Sequence, residues 1–77
     1  MNPSLNTLRV GESALVSHIE AEPAMRRRLL ELGLVPGARV TCAAVSPAGD
    51  PAAYLIRGAV IALRSRDAAG VRLEGEP

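Results

Sequence analysis

The 77-residue chain has no phenylalanine, no tryptophan and no lysine, and it holds one tyrosine, one histidine and one cysteine. Each shortage closes off chemistry. Without lysine there is no phosphate-binding loop of the Gly-rich Lys-Ser/Thr type and no Schiff-base nucleophile. Tyr54, alone, cannot supply the stacking platform of a nucleic-acid-binding barrel or line a groove for proline-rich peptides. Cys42 has no partner for an internal disulfide, which agrees with a reducing compartment. A single histidine, with no nucleophile motif and no carboxylate pair at useful spacing, marks the chain as a non-enzyme. No apolar run approaches bilayer-spanning length, so membrane insertion is not expected. The start of the chain, Met1 to Leu5, lacks the basic and apolar regions of a secretion signal, so a cytoplasmic location is expected. Nine arginines stand against eight acidic residues, a net charge of +1, too little to make nucleic acid an expected partner.

What is present suits one small domain. Apolar residues make up 48% of the chain, much of it alanine, so bulk comes from valine, leucine, isoleucine and methionine. Residues 1–7, with Pro3 and Asn6, read as a flexible lead-in, 8–74 as the domain and 75–77 as a tail. Short β-forming runs at 13–19, 38–45, 53–57 and 59–64 predict strands, and the alternation at 71–74 predicts a fifth with Val71 and Leu73 inward. Residues 65–69 fit a turn or a single helical turn. Five short strands in so small a chain predict an all-β fold, a closed or nearly closed barrel with one helix between the first two strands.

That helix is the most legible element. Pro23 suits its first turn, and Met25, Leu29 and Leu32 at i, i+4 and i+7 share one face. Arg27 and Glu31, four apart, are placed to pair across its surface. Gly33 follows where a helix end wants positive φ, and Pro36 and Gly37 prevent the helix from resuming.

The segment Arg28-Leu29-x-x-Leu32-Gly33-Leu34-x-Pro36-Gly37, then Pro47-x-Gly49-Asp50-Pro51, then Ile61-Ala62-Leu63-Arg64 with Ala68 following, strongly resembles the FeoA family. The likeness runs from about Leu8 to Glu74, and three motifs in register are far more specific than any one alone. The resemblance implies a five-stranded SH3-like barrel. It also implies a non-catalytic accessory role in bacterial ferrous iron uptake, exercised through the FeoB membrane GTPase-permease. An alternative is a stand-alone regulatory or metal-sensing domain, related to the C-terminal barrel of iron-dependent repressors.

Leu29, Leu32, Gly33, Pro36, Gly37, Gly49, Asp50 and Pro51 are expected to be structural. The candidate partner-binding residues are Arg28, Leu30, Leu34 and Val35. Leu30 lies off the apolar stripe, either covered by the sheet or exposed beside Arg26 and Arg27. Leu34 and Val35, between cap and turn, are expected to present apolar surface. Arg28, which the family pattern selects, can clamp a carboxylate within the domain or meet an acidic patch on a partner. Arg28 or Arg64 could also serve a partner's GTPase site in trans. The same exposed residues could serve self-association. His18 and Glu20, with Cys42, Asp50 and Asp67, are the candidate metal ligands. Their spacing matches no recognised ligand pattern, so no metal site and no cofactor are expected.

Overall fold

The computed structural model describes residues 3–75. A 3-10 turn at Leu5–Thr7 leads into strand β1 (Ser13–Ile19), helix α1 (Pro23–Glu31) and strands β2 (Arg39–Val45), β3 (Ala52–Ile56) and β4 (Ala59–Leu63). A short helix α2 (Ser65–Ala68) and strand β5 (Val71–Leu73) complete the chain. The strands form one antiparallel sheet in the order β4-β3-β2-β1-β5. The all-β class and the helix between the first two strands match the expectation. The closed barrel does not: β4 and β5 are the two edges of the sheet, and α2 carries the chain from one to the other. The outer edge of β5 is taken by the N-terminal segment, where Ser4 bridges Arg72 and the Leu73 N–H donates to the Pro3 carbonyl, so it does not pair with β4.

One face of the sheet holds the core, because the inward residues of each strand alternate with outward ones. Val40 and Cys42 of β2, Tyr54 and Ile56 of β3, and Val71 and Leu73 of β5 are buried together with Val16, Leu29 and Leu63. Register shifts between Val16 and His18 and between Cys42 and Ala44 interrupt the ladders, and such bulges increase local twist. The β3–β4 hairpin turns on two residues, Arg57 (φ +52°) and Gly58 (φ +81°). Positive φ at both central positions suits the primed turns that match strand twist.

Two features escaped the sequence reading. The lead-in is anchored: Leu5 is 0% exposed, and the Leu73 N–H donates to the Pro3 carbonyl at 2.7 Å. One leucine entering the core outweighs the neighbouring proline and asparagine. Met1, Asn2, Glu76 and Pro77 lie outside the described residues. Gly70 permits a close approach, since a Cβ there would meet the Glu20 carbonyl oxygen at 2.6 Å. The Glu20 N–H donates to the Gly70 carbonyl at 2.7 Å, tying the end of β1 to the start of β5.

Candidate functional site

The family motif falls at the end of α1, and the hydrogen bonds there show what most of it does. The Gly33 N–H donates to the Leu30 carbonyl at 3.0 Å and the Leu34 N–H to the Leu29 carbonyl at 3.1 Å. Gly33 sits at φ +106°. This is a glycine-capped helix end, in which the residue after the glycine folds back toward the last turn. Leu34 is therefore core, 0% exposed like Leu29, and offers a partner nothing. The expectation that it presents apolar surface is corrected by the geometry of the cap. Met25 and Leu32 pack against the core from its margin.

Beyond the cap the chain is tied to β1. The Gly37 N–H donates to the Val16 carbonyl at 2.7 Å, and the Val16 N–H donates to the Ala38 carbonyl at 2.9 Å. Gly37 takes φ +87°, and the Ala38 N–H closes the turn on the Val35 carbonyl at 3.0 Å. Val35 is half-buried and Pro36 exposed.

The other motifs meet at one hydrogen bond. The Ser65 N–H, at the first residue of α2, donates to Asp50 Oδ1 at 2.8 Å. The loop that carries Asp50 is closed by the Gly49 N–H on the Ser46 carbonyl and the Ser46 N–H on the Pro51 carbonyl. Asp50 thus joins Pro47–Pro51 to the end of β4, a structural role. Asn6 Nδ2 donates to Ser65 Oγ at 3.1 Å and so docks the N-terminal turn on the same corner.

The exposed charges on α1 are three arginines, Arg26 to Arg28, with Glu22 at the start of the helix and Glu31 at its end. Ala21, Pro23, Arg26, Arg27 and Leu30 line a shallow cleft of about 360 Å³. Leu30 is half-buried between the sheet and the two arginines, midway between the alternatives the sequence left open. Arg28 does not join it: two residues along a helix is a rotation of about 160° the other way round the axis. Arg28 is exposed and pairs with no carboxylate among the described residues, so it clamps nothing within the domain. Nor does Arg27 pair with Glu31.

The candidate metal ligands are only partly brought together. His18 Nε2 and Glu20 Oε2 lie 2.8 Å apart on the exposed end of β1. The hydrogen bond from His18 holds the Glu20 carboxyl below its ordinary range. Cys42 is buried in the core instead, and Asp50 is engaged with Ser65. Among the described residues no three His, Cys, Asp or Glu side chains gather as a metal site.

A second cleft, of about 390 Å³, escaped the sequence reading. Val10 and Val45 form exposed walls, Asp50 and Ser65 lie at one side, and Tyr54 lies beneath. Burial, with the nearby Cys42 and Asp50, raises the Tyr54 hydroxyl pKa above its ordinary value. No helix among the described residues is long and apolar enough to cross a membrane.

Comparison with known proteins agrees with this geometry. The family model described as the FeoA domain matches residues 4–75. The Fe(2+) transport protein A/Fe(2+) transporter FeoB fusion protein of Porphyromonas gingivalis (strain ATCC BAA-308 / W83) is 34% identical over 70 residues. Those residues are 91% of this chain and 8% of the fusion protein, so the chain spans only a small part of that relative. The solution structure of the Chlorobium tepidum FeoA protein superposes with a TM-score of 0.84 at 38% identity, covering 91% of this chain and 67% of that one. The zinc complex of Stenotrophomonas maltophilia FeoA, described as an SH3 domain protein, gives 0.83 at 33% identity, over 92% and 88% of the two chains. A manganese-dependent transcriptional repressor shares the fold alone, with 0.83 at 24% identity. With motif, superposition and whole-domain match in agreement, the chain belongs to the FeoA family of ferrous iron transport, with that family's SH3-like fold.

Proposed function

We propose that this protein is a cytoplasmic accessory factor of ferrous iron uptake that acts by binding a FeoB-type GTPase-permease, without chemistry of its own. One observation carries the reading: in the Porphyromonas gingivalis relative the matching domain and the FeoB transporter belong to one fusion protein. Covalent linkage of two proteins elsewhere separate holds them at high effective concentration, which serves partners that bind each other. The surface offered for that contact is the α1 cleft, where Arg26 and Arg27 flank Leu30, with Val35 beside the helix end. Arginine beside a partly exposed leucine is suited to a protein contact. Arg28, on the other flank of α1, belongs to a separate part of the contact or to none.

The test is co-purification of this protein with the cytoplasmic domain of the permease, with and without guanine nucleotide. Arg26→Glu with Arg27→Glu should weaken capture about tenfold or more, with circular dichroism unchanged, because both side chains are exposed. Capture that withstands both substitutions refutes the assignment of this face. An Arg28→Ala change that abolishes stimulation of GTP hydrolysis while capture is unchanged would instead show an arginine acting in trans and refute a role by binding alone.

A further inference from the structure

The two edges of the sheet are finished differently. At β5, Ser4 bridges Arg72 and the Leu73 N–H reaches the Pro3 carbonyl, so the N-terminal segment covers that edge. At β4 nothing comparable occurs among the described residues. Its only ladder is with β3, and no backbone hydrogen bond from elsewhere reaches residues 59–63. The strand reads Ala-Val-Ile-Ala-Leu, with no charge and no proline, and its register with β3 runs from Ile56–Ala59 to Ala52–Leu63 without a shift. Edges that are not meant to pair are usually protected by just those devices.

The register also says which groups are free. In a two-residue hairpin the pair beside the turn exchanges its bonds inward, so Ala59, Ile61 and Leu63 bond to β3. Val60 and Ala62 therefore direct their N–H and C=O groups to the open side. Their side chains lie on the outer face, where Val60 stands beside Leu55, and the two are 65% and 40% exposed.

Charge defines the partner. Arg57 stands at the turn before β4 and Arg64 immediately after it, both exposed and without an ion pair among the described residues. Arg39 begins β2 at the same end of the sheet as the hairpin turn, one register step beyond the Val40–Ile56 pair. Between Glu31 and Asp67 the only acidic residue is Asp50, whose Oδ1 is already taken by the Ser65 N–H. A second copy of this chain is a poor occupant, because antiparallel pairing of two β4 strands would set Arg57 of each near Arg64 of the other.

We infer that the β4 edge is a docking site for an extended segment of a partner protein. That segment adds as a sixth strand, with small or β-branched residues opposite Val60 and Ala62 and a carboxylate at each end for Arg57 and Arg64. The inference is independent of the α1 cleft and stands whether or not the partner is the permease.

The full chain, titrated with the peptide Glu-Thr-Val-Ser-Val-Thr-Glu and with a version carrying lysine at both ends, tests this by residue-resolved amide hydrogen exchange. The acidic peptide should slow exchange at Val60 and Ala62 about tenfold, with the effect fading as salt is raised, and the lysine version should leave both unchanged. Val60→Pro removes a donor that bonds to nothing within the domain and should abolish the protection. If that variant does not fold, Arg64→Glu carries the test by cancelling the preference for the acidic over the lysine peptide, since Arg57 alone then remains cationic. Unchanged exchange at millimolar acidic peptide overturns the inference, as does equal protection by both peptides. Protection that grows with protein concentration alone, or that phosphatidylglycerol vesicles give and the peptide does not, overturns it too.

Discussion

Replacing Gly33 by alanine isolates what the glycine contributes to the helix end. Two separate costs arise. At φ +106° an L-residue is outside its favoured regions, a penalty of about 1–2 kcal/mol. The new Cβ would also stand 3.2 Å from Ile56 Cγ2, and Ile56 is 1% exposed, with little room to withdraw, which adds about 1 kcal/mol. Against these, alanine restricts the unfolded chain and returns about 0.4–1 kcal/mol. The net expectation is a loss of about 2 kcal/mol, or roughly 8–16 °C in Tm for a domain of this size. Urea unfolding followed by far-ultraviolet circular dichroism measures it, with an unchanged denaturant slope expected. Gly49→Ala is the internal standard. Its φ is +90° but nothing lies within 4 Å of the added Cβ, so it reports backbone strain without the contact. The gap between the two variants should be about 1 kcal/mol and should shrink in an Ile56→Leu background, which lacks that γ-methyl group. A Gly33→Ala protein as stable as its parent would refute the capping argument. Equal losses at Gly33 and Gly49 would refute the role given to Ile56.

Leu34→Ala should lower stability by about 2–5 kcal/mol, the ordinary cost of truncating a fully buried leucine, read in the same urea assay. A well-folded variant that has lost only partner binding would contradict the burial of this residue. Tyr54, the sole tyrosine, should ionise above 10.0 in a near-ultraviolet absorbance titration. Because burial raises its folded pKa, its contribution to stability is complete below the unfolded value and is lost as pH rises past it. Stability should therefore decline on the alkaline side of pH 10.0, and a Tyr54→Phe protein should lack that component.

The strands, the helix and the order of elements were legible because each is a local pattern. Val71 and Leu73 alternate, Met25, Leu29 and Leu32 keep helical spacing, and Pro36-Gly37 stops the helix. What is not local is decided by direction. The position of Leu34 between cap and turn suggests surface, but Gly33 at φ +106° turns the following residue back toward Leu29 and into the core. The pattern of a leucine four residues before a glycine and another directly after it carried that signal. Arg28, selected by the family pattern, and Leu30, off the apolar stripe, are both candidates by sequence, yet helical rotation sets them on opposite flanks of α1. Leu5 stands among residues, Pro3 and Asn6, that suggest a loose terminus. The openness of the sheet has no local signature, since it depends on the distant Pro3–Ser4 segment taking the outer edge of β5.

These corrections change how the family signature must be read. Leu29, Gly33 and Leu34 form one capped corner, Gly37 ties it to β1, and Asp50 joins a distant loop to α2. Their roles are met within the domain, and a change at any of them lowers the folded population before it alters a surface. Loss of partner binding in such a variant is then ambiguous, because an unfolded protein binds nothing. A binding role can be tested only at residues whose removal leaves the fold intact, and here those are the exposed cations and the apolar groups beside them. Arg26 and Arg27 next to Leu30 make one such set, and Arg57 and Arg64 around Val60 make another. The two differ in their surroundings: Arg57 and Arg64 lie in the stretch from Leu32 to Arg66, which holds only Asp50 as an acid, whereas Arg26 and Arg27 lie between the exposed Glu22 and Glu31. Rim charges mainly govern association rate and salt dependence, whereas buried contacts govern dissociation. Reversing charge at Arg26 and Arg27 or at Arg64 should accordingly slow capture most at low ionic strength, and the set that does so identifies the face the partner meets first.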